Sequence, residues 1–151
     1  MSKNFWETER IRLRAIEPED WEVHYHWDMD SETARNVHKV NYPTSKAHAK
    51  KWTQEASVTQ SDDDNVDMAI EELASGKQVG VIGAHHTDSH NGTFMYGLAI
   101  REEFQRKGYA SEAIILLMRY FFDELRYQKC HVDVYSWNEG SIQLHEKLGF
   151  A

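Results

Sequence analysis

The repeat of apolar residues changes from strand to helical period at Lys107, and that change limits the fold more than any other feature. Three segments, "VDMAIEEL", "QVGVIGAHH" and "TFMYGLAI", read as strands and are joined by the turn signals "ASGK" and "SHNG", the pattern of an antiparallel meander. From Lys107 the spacing turns helical, with Ile114, Leu117, Met118, Phe121, Phe122 and Leu125 on one stripe. Before the meander, "RIRLRAI" (10–16) alternates apolar and charged residues as a first strand with one wet face. The run "EPEDWEVHYHWDMD" opens a helix near Pro18, and "PTSKAHAKKWTQEASVTQ" opens a second after Pro43, with Thr44 or Ser45 as caps. The acidic "SDDDN" (61–65) is a loop. After the stripe, "KCHVDVYSW" returns to strand and "NEGSIQLHEKLGF" closes as a short helix with Leu144 and Leu148 one turn apart. This order predicts a single α/β domain over 1–151, a central mixed and mostly antiparallel sheet flanked by helices.

Charge and cysteine usage narrow the function. A formal net charge of −8 argues against a nucleic-acid partner and favours cationic ones. The single cysteine, Cys130, has no partner for an intrachain disulfide, as expected of a cytoplasmic protein, and reads as a packed thiol. No apolar run is long enough to span a bilayer, so no membrane partner is expected. The cluster "HHTDSH", with His85, His86, Asp88 and His90, holds metal-binding residue types but reads as a solvated hairpin tip, so no metal is expected. His24 and His26, two apart on a helix, point to different sides.

The stretch "REEFQRKGYASEA" (101–113) lies where an apolar strand meets the amphipathic helix. One reading makes Gly108 a relaxed turn and leaves Arg106 and Lys107 solvated. The other is an anion site: the first turn of a helix leaves N–H groups without partners, and small residues let a ligand approach them. There is no G-x-x-x-x-G-K-[ST] loop and no G-x-G-x-x-G turn after the first strand. "QRKGYA", Gln105 to Ala110, instead resembles the Q/R-x-x-G-x-G/A loop of the GNAT superfamily of acyl-CoA N-acyltransferases. "NEGSIQLHEKLGF" is similar to that family's following segment, N-x-x-[SA]-x-x-[LV]-[YH]-x-x-[LV]-G-F. The opening "RIRLRAIEPEDW" and "GYASEA" resemble most the branch with the Rim ribosomal-protein and spermidine acetyltransferases.

The resemblance implies the GNAT fold and transfer of an acetyl group from acetyl-CoA to an amine acceptor, a cationic small molecule or a protein N-terminus. It places the pyrophosphate of coenzyme A on the segment Gln105, Arg106, Lys107, Gly108, Tyr109, Ala110 and Ser111, and the pantetheine arm along the main chain at Leu98 and Ile100, with a contact from Asn138. Leu98 and Ile100 are also ordinary core positions, and Asn138 an ordinary helix cap. In the chemistry implied, an ammonium loses a proton, the amine attacks a thioester, and an acid protonates the departing thiolate. Where many members carry a Tyr for that acid, this chain has His145, which is also placed to pack against Ser141 one turn earlier. A Glu frequent in this branch is replaced by Met95, so Glu112, Asp133 and Tyr96 stand as weaker candidates for the base. Members usually continue through two more strands after "LGF", whereas this sequence stops at Ala151. The fold is therefore expected to lack that last pair, leaving a sheet edge open to a second copy, a possible homodimer. Two other functions fit the residues: a non-catalytic CoA-binding regulatory module, and an acidic interaction domain without cofactor.

Overall fold

A computed structural model describes residues 3–60 and 63–151. Five strands form one sheet in the order β1 (Ile11–Ala15), β2 (Val66–Glu72), β3 (Lys77–Asp88), β4 (Thr93–Ile100) and β5 (Lys129–His131). The first four pair antiparallel in sequence order, and β5 runs parallel to β4. This is the mixed, mostly antiparallel sheet that the order of patterns predicts.

Two helical layers cover it. On one face α4 (Tyr109–Arg119) lays Ala113, Ile114, Leu116 and Leu117 against Ile11, Leu13, Ile70, Ile82, Phe94 and Tyr96. The helical stripe thus meets alternate residues of every long strand, which is the period-2 pattern paying off in one core. A π-helical turn, Tyr120–Glu124, extends α4 and stacks Phe121 on Phe94 at 4.1 Å between ring centroids. On the other face α1 (Trp21–Met29) packs on α3 (Lys46–Val58), and α2 (Ser31–Val37) reaches β4. The wet side of β1 is charged: Arg14 bridges Glu71 at 2.7 Å and Asp20 at 2.9 Å.

Most expected boundaries agree with the structure. Pro18 opens a short 3-10 turn, Pro18–Asp20, that leads into α1. Ser45 is the cap of α3, its Oγ accepting from the His48 N–H at 3.0 Å. Three details differ, and one lies outside the described residues. The acidic run after Met29 is not the tail of α1 but the start of α2, because the Asp30 carboxylate accepts from the Thr33 N–H and restarts the helix. In "SDDDN", Ser61 and Asp62 lie outside the described residues. Strand β3 runs to Asp88, so His85 and His86 sit in the strand rather than at the hairpin tip, which is formed by Ser89–Gly92. Finally, "KCHVDVYSW" is strand only over Lys129–His131; Asp133 lies past its end and is exposed. The chain from Val132 leaves the sheet, and α5 (Glu139–Lys147) follows.

Candidate active site

The early end of β5 opens a slot. β4 pairs with β5 only at Thr93, Phe94 and Met95. From Tyr96 to Ile100 it pairs with β3 on one side, and among the described residues no strand flanks the other. An extended ligand can take the place of the missing neighbour by bonding to the main chain. Leu98 and Ile100, the positions expected to flank such a ligand, are half-buried and pack onto the α4 face of the core. Gly97, just before Leu98 and in register with Gly83, is exposed, and nothing lies within 4 Å of where its Cβ would be.

At the C-terminal end of this slot the chain makes the turn that the sequence singles out. Gln105 Nε2 donates to the Ile100 carbonyl at 3.0 Å, anchoring the loop to the end of β4. Arg106 and Gly108 both have positive φ, +62° and +85°, so the main chain curls sharply into α4. Gly108 is the N-cap of α4, and among the described residues no side chain caps that helix. The first intrahelical bond runs from the Glu112 N–H to the Gly108 carbonyl. The N–H groups of Tyr109, Ala110 and Ser111 therefore point out of the helix start with the positive end of its dipole behind them. Arg106 and Lys107 are exposed beside them. This arrangement suits a phosphate. The role of Gly108 differs from the expected one: its Cβ direction faces not open ligand space but Arg10, whose Nη2 would lie 2.9 Å from an added Cβ.

His145, 5% exposed, forms a buried pair with Tyr96. Its Nδ1 lies 2.7 Å from the Ser141 carbonyl, an acceptor only, so Nδ1 carries the proton. Nε2 is then an acceptor, and the Tyr96 hydroxyl donates to it at 2.6 Å. Burial pushes the Tyr96 phenol above its ordinary range, so it stays protonated. That corrects its candidacy as a base: the group is a donor. Tyr96 is also the first β4 residue past the last β5 pairing, where the slot opens. Asn138 is the N-cap of α5, its Oδ1 accepting from the Ser141 N–H at 3.2 Å, which places Ser141 under His145.

Of the other base candidates, one is corrected too. Glu112 faces the N-terminal segment, with Oε1 accepting from Thr8 Oγ1 at 2.7 Å and Oε2 from Arg10 Nε at 2.7 Å. Both oxygens are committed. Asp133 is exposed beyond the end of β5. Among the described residues no group of three or more His, Cys, Asp or Glu is arranged to hold a metal, and no helix is long and apolar enough to cross a membrane. Burial pushes the Cys130 thiol up to about 12, which keeps it protonated and unreactive.

A sheet with one strand splayed from its neighbour, next to an uncapped helix start behind a left-handed glycine, defines an acyl-CoA-binding α/β fold. The chain belongs to the GNAT acetyltransferase family: residues 10–151 match the model of the acetyltransferase (GNAT) domain. It is 39% identical over 150 residues to the SPbeta prophage-derived uncharacterized N-acetyltransferase YokL of Bacillus subtilis strain 168, an alignment covering 99% of this chain and 81% of that one. Among solved structures, the spermidine N-acetyltransferase of Vibrio cholerae in complex with CoA and spermine shares the fold at a TM-score of 0.79 and 18% identity, over 95% of this chain and 82% of that one. The microcin C7 self-immunity acetyltransferase MccE, in complex with acetyl-CoA and AMP, does so at 0.81 and 16%, over 95% and 80%. The protein is an acetyl-CoA-dependent N-acetyltransferase that moves an acetyl group from the thioester to an amine.

Proposed function

We propose that the acceptor is a cationic amine, a small polyamine-like molecule or the amino terminus of a protein, and that the whole chain acts as one catalytic domain. The observation that carries the acceptor class is the net charge of −8, since a negative field concentrates cations at the protein surface. The spermine bound in a structural relative of the same fold is in keeping with it. The unpaired Cys130 suits a reducing, cytoplasmic setting.

In this reading the N–H groups from Arg106 to Ser111 hold the pyrophosphate of acetyl-CoA, with Arg106 and Lys107 adding charge at the rim. The main chain at Leu98 and Ile100 holds the pantetheine arm in the slot, and Asn138 borders it from the start of α5. Gly97 leaves the reacting end accessible to the acceptor because it has no side chain to cover it. With both oxygens of Glu112 engaged by Thr8 and Arg10, the ammonium proton leaves through water. A main-chain N–H of β4 steadies the oxyanion as it forms. The departing thiolate takes its proton from the Tyr96 and His145 pair: the Tyr96 hydroxyl turns from Nε2 to the thiolate and gives up its proton, and His145, binding a proton from solvent at the freed Nε2, returns one to the phenolate.

Thiol release from acetyl-CoA, measured against a panel of amines, tests the reading. Polyamines and basic peptide N-termini are expected to react faster than a neutral amine of similar size, and the advantage is expected to shrink as salt rises. Equal rates at all ionic strengths for charged and neutral amines would refute electrostatic selection.

A further inference from the structure

Two stretches about 100 residues apart meet behind the cofactor turn, and the side chains that join them have no part in the chemistry above. In "ETER" (7–10) Thr8 and Arg10 belong to the segment that turns into β1; in "GYASE" (108–112) Tyr109 and Glu112 belong to the first turns of α4. The contact between them is fully specified. The Thr8 hydroxyl accepts from the Arg10 N–H at 3.2 Å and the Ile11 N–H at 3.1 Å, which directs its own proton to Glu112 Oε1 at 2.7 Å. Arg10 donates through Nε to Glu112 Oε2 at 2.7 Å, and its Nη2 pairs with the same oxygen. The Arg10 guanidinium also lies over the Tyr109 ring, 4.8 Å from its centroid. Tyr109, 7% exposed, donates its hydroxyl to Glu72 Oε2 on β2. The side of Gly108 where a Cβ would project is filled by Arg10 Nη2.

We infer that Thr8 and Arg10 are positioning residues for acetyl-CoA: they hold the start of α4 in its phosphate-binding geometry and neutralise Glu112. The inference rests on the assignment of the α4 start to the pyrophosphate. Two physical arguments support it. The left-handed Gly108 orients the N–H groups of the following residues, so a clamp on Tyr109 and Glu112 sets where those donors point. Glu112 lies one turn into a helix whose N-terminus takes a dianionic group. A carboxylate there repels the phosphates unless a cation accompanies it, and Arg10 is the cation in contact. Arg10 acts on the phosphates through Glu112 and the turn, its Nε and Nη2 being directed at Glu112.

The test compares Arg10→Gln, Arg10→Gln/Glu112→Gln, Arg10→Lys and Thr8→Val with the wild-type protein. Acetyl-CoA is titrated calorimetrically, and KM and kcat are measured against the best amine of the panel, with the folded fraction taken from thermal melts. Arg10→Gln exposes the Glu112 charge and is expected to raise Kd and KM for acetyl-CoA about tenfold, with kcat at saturation and KM for the amine nearly unchanged. The double substitution removes the uncompensated charge and is expected to recover at least half of the lost affinity on a logarithmic scale. Arg10→Lys keeps the charge without the fork and is expected to fall between the wild type and Arg10→Gln. Thr8→Val keeps the shape and loses one bond, with an expected rise of about threefold, and it serves if Arg10→Gln folds poorly. Melting temperatures that fall while Kd for acetyl-CoA stays at the wild-type value in Arg10→Gln and Thr8→Val would overturn the inference. So would a double substitution as weak as Arg10→Gln or weaker. A wild-type protein that binds no CoA would instead overturn the assignment of the α4 start itself, a distinct outcome.

Discussion

Replacing Gly108 with alanine tests the cofactor turn where its backbone is most constrained. At φ +85° an L-residue costs about 1–2 kcal/mol. The stiffer unfolded chain of an alanine variant returns about 0.4–1 kcal/mol. The balance is a loss of roughly 1 kcal/mol, which for a chain of this size lowers Tm by about 2–4 °C. The added Cβ lies 2.9 Å from Arg10 Nη2, too close for contact, so the Arg10 guanidinium must shift against Glu112 as well. Affinity for CoA is therefore expected to fall along with stability. Gly140 is the matched control. It lies in the first turn of α5 without a positive φ, and nothing lies within 4 Å of its Cβ position. Gly140→Ala is expected to stabilise by about 0.5–1 kcal/mol. Differential scanning calorimetry with and without CoA reads both. A Gly108→Ala protein that melts with the wild type and binds CoA equally well would refute the reasoning, since neither strain nor the displacement of Arg10 would then be real.

Two further outcomes are expected. His145→Phe leaves the buried Tyr96 hydroxyl without its acceptor, which is expected to cost about 1–3 kcal/mol; adding Tyr96→Phe should restore most of that stability, yet kcat of the folded fraction should stay about 10²- to 10⁴-fold down in both, because the single variant has nothing to return a proton to Tyr96 and the double variant lacks the hydroxyl as well. Turnover near wild type in the double variant would remove the pair from the mechanism. The second outcome concerns acid: burial lowers the His24 pKa, and although burial opposes ionisation of Asp20, hydrogen bonds from Arg14 and the Glu17 N–H outweigh it and hold that carboxyl below its ordinary value. Both groups bind protons more readily in the unfolded chain, so their contributions are full above the unfolded pKa values, near 6.5 for His24 and about 3.9 for Asp20, and are lost as pH falls through the folded ones. Chemical denaturation at a series of pH values should show stability declining first below about pH 6.5 and again below about pH 4, with Asp20→Asn flattening the lower step; an unchanged lower step in that variant would contradict the assignment.

Local chemistry accounts for what the residue order alone made legible. A period of two over 66–100, helical spacing after Lys107 and the breakers between them are short-range consequences of backbone geometry, so the strands, the α4 stripe and the Ser45 cap could be read directly. The cofactor turn was legible for the same reason: Gly108 and the residues beside it specify a left-handed entry into a helix within four positions. Where one strand ends and whether a helix restarts were less so. β5 stops at His131 although "VDVYSW" keeps a strand-like pattern, because pairing depends on where β4 lies and not on the pattern itself. The restart at Asp30 carried a local signal, an Asp three residues before the N–H it caps, at the very end of the run that read as the first helix. The site's side-chain partnerships were beyond the sequence altogether. Nothing near His145 indicates that Nε2 meets Tyr96, 49 positions away, or that the meeting makes Tyr96 a donor. Nor does anything near Glu112 indicate that Thr8 and Arg10 occupy both of its oxygens. A carboxylate or an imidazole has the same intrinsic chemistry anywhere in a chain; which groups share its protons is set by the packing of α4 and α5 on the sheet, and that is a property of the tertiary structure alone.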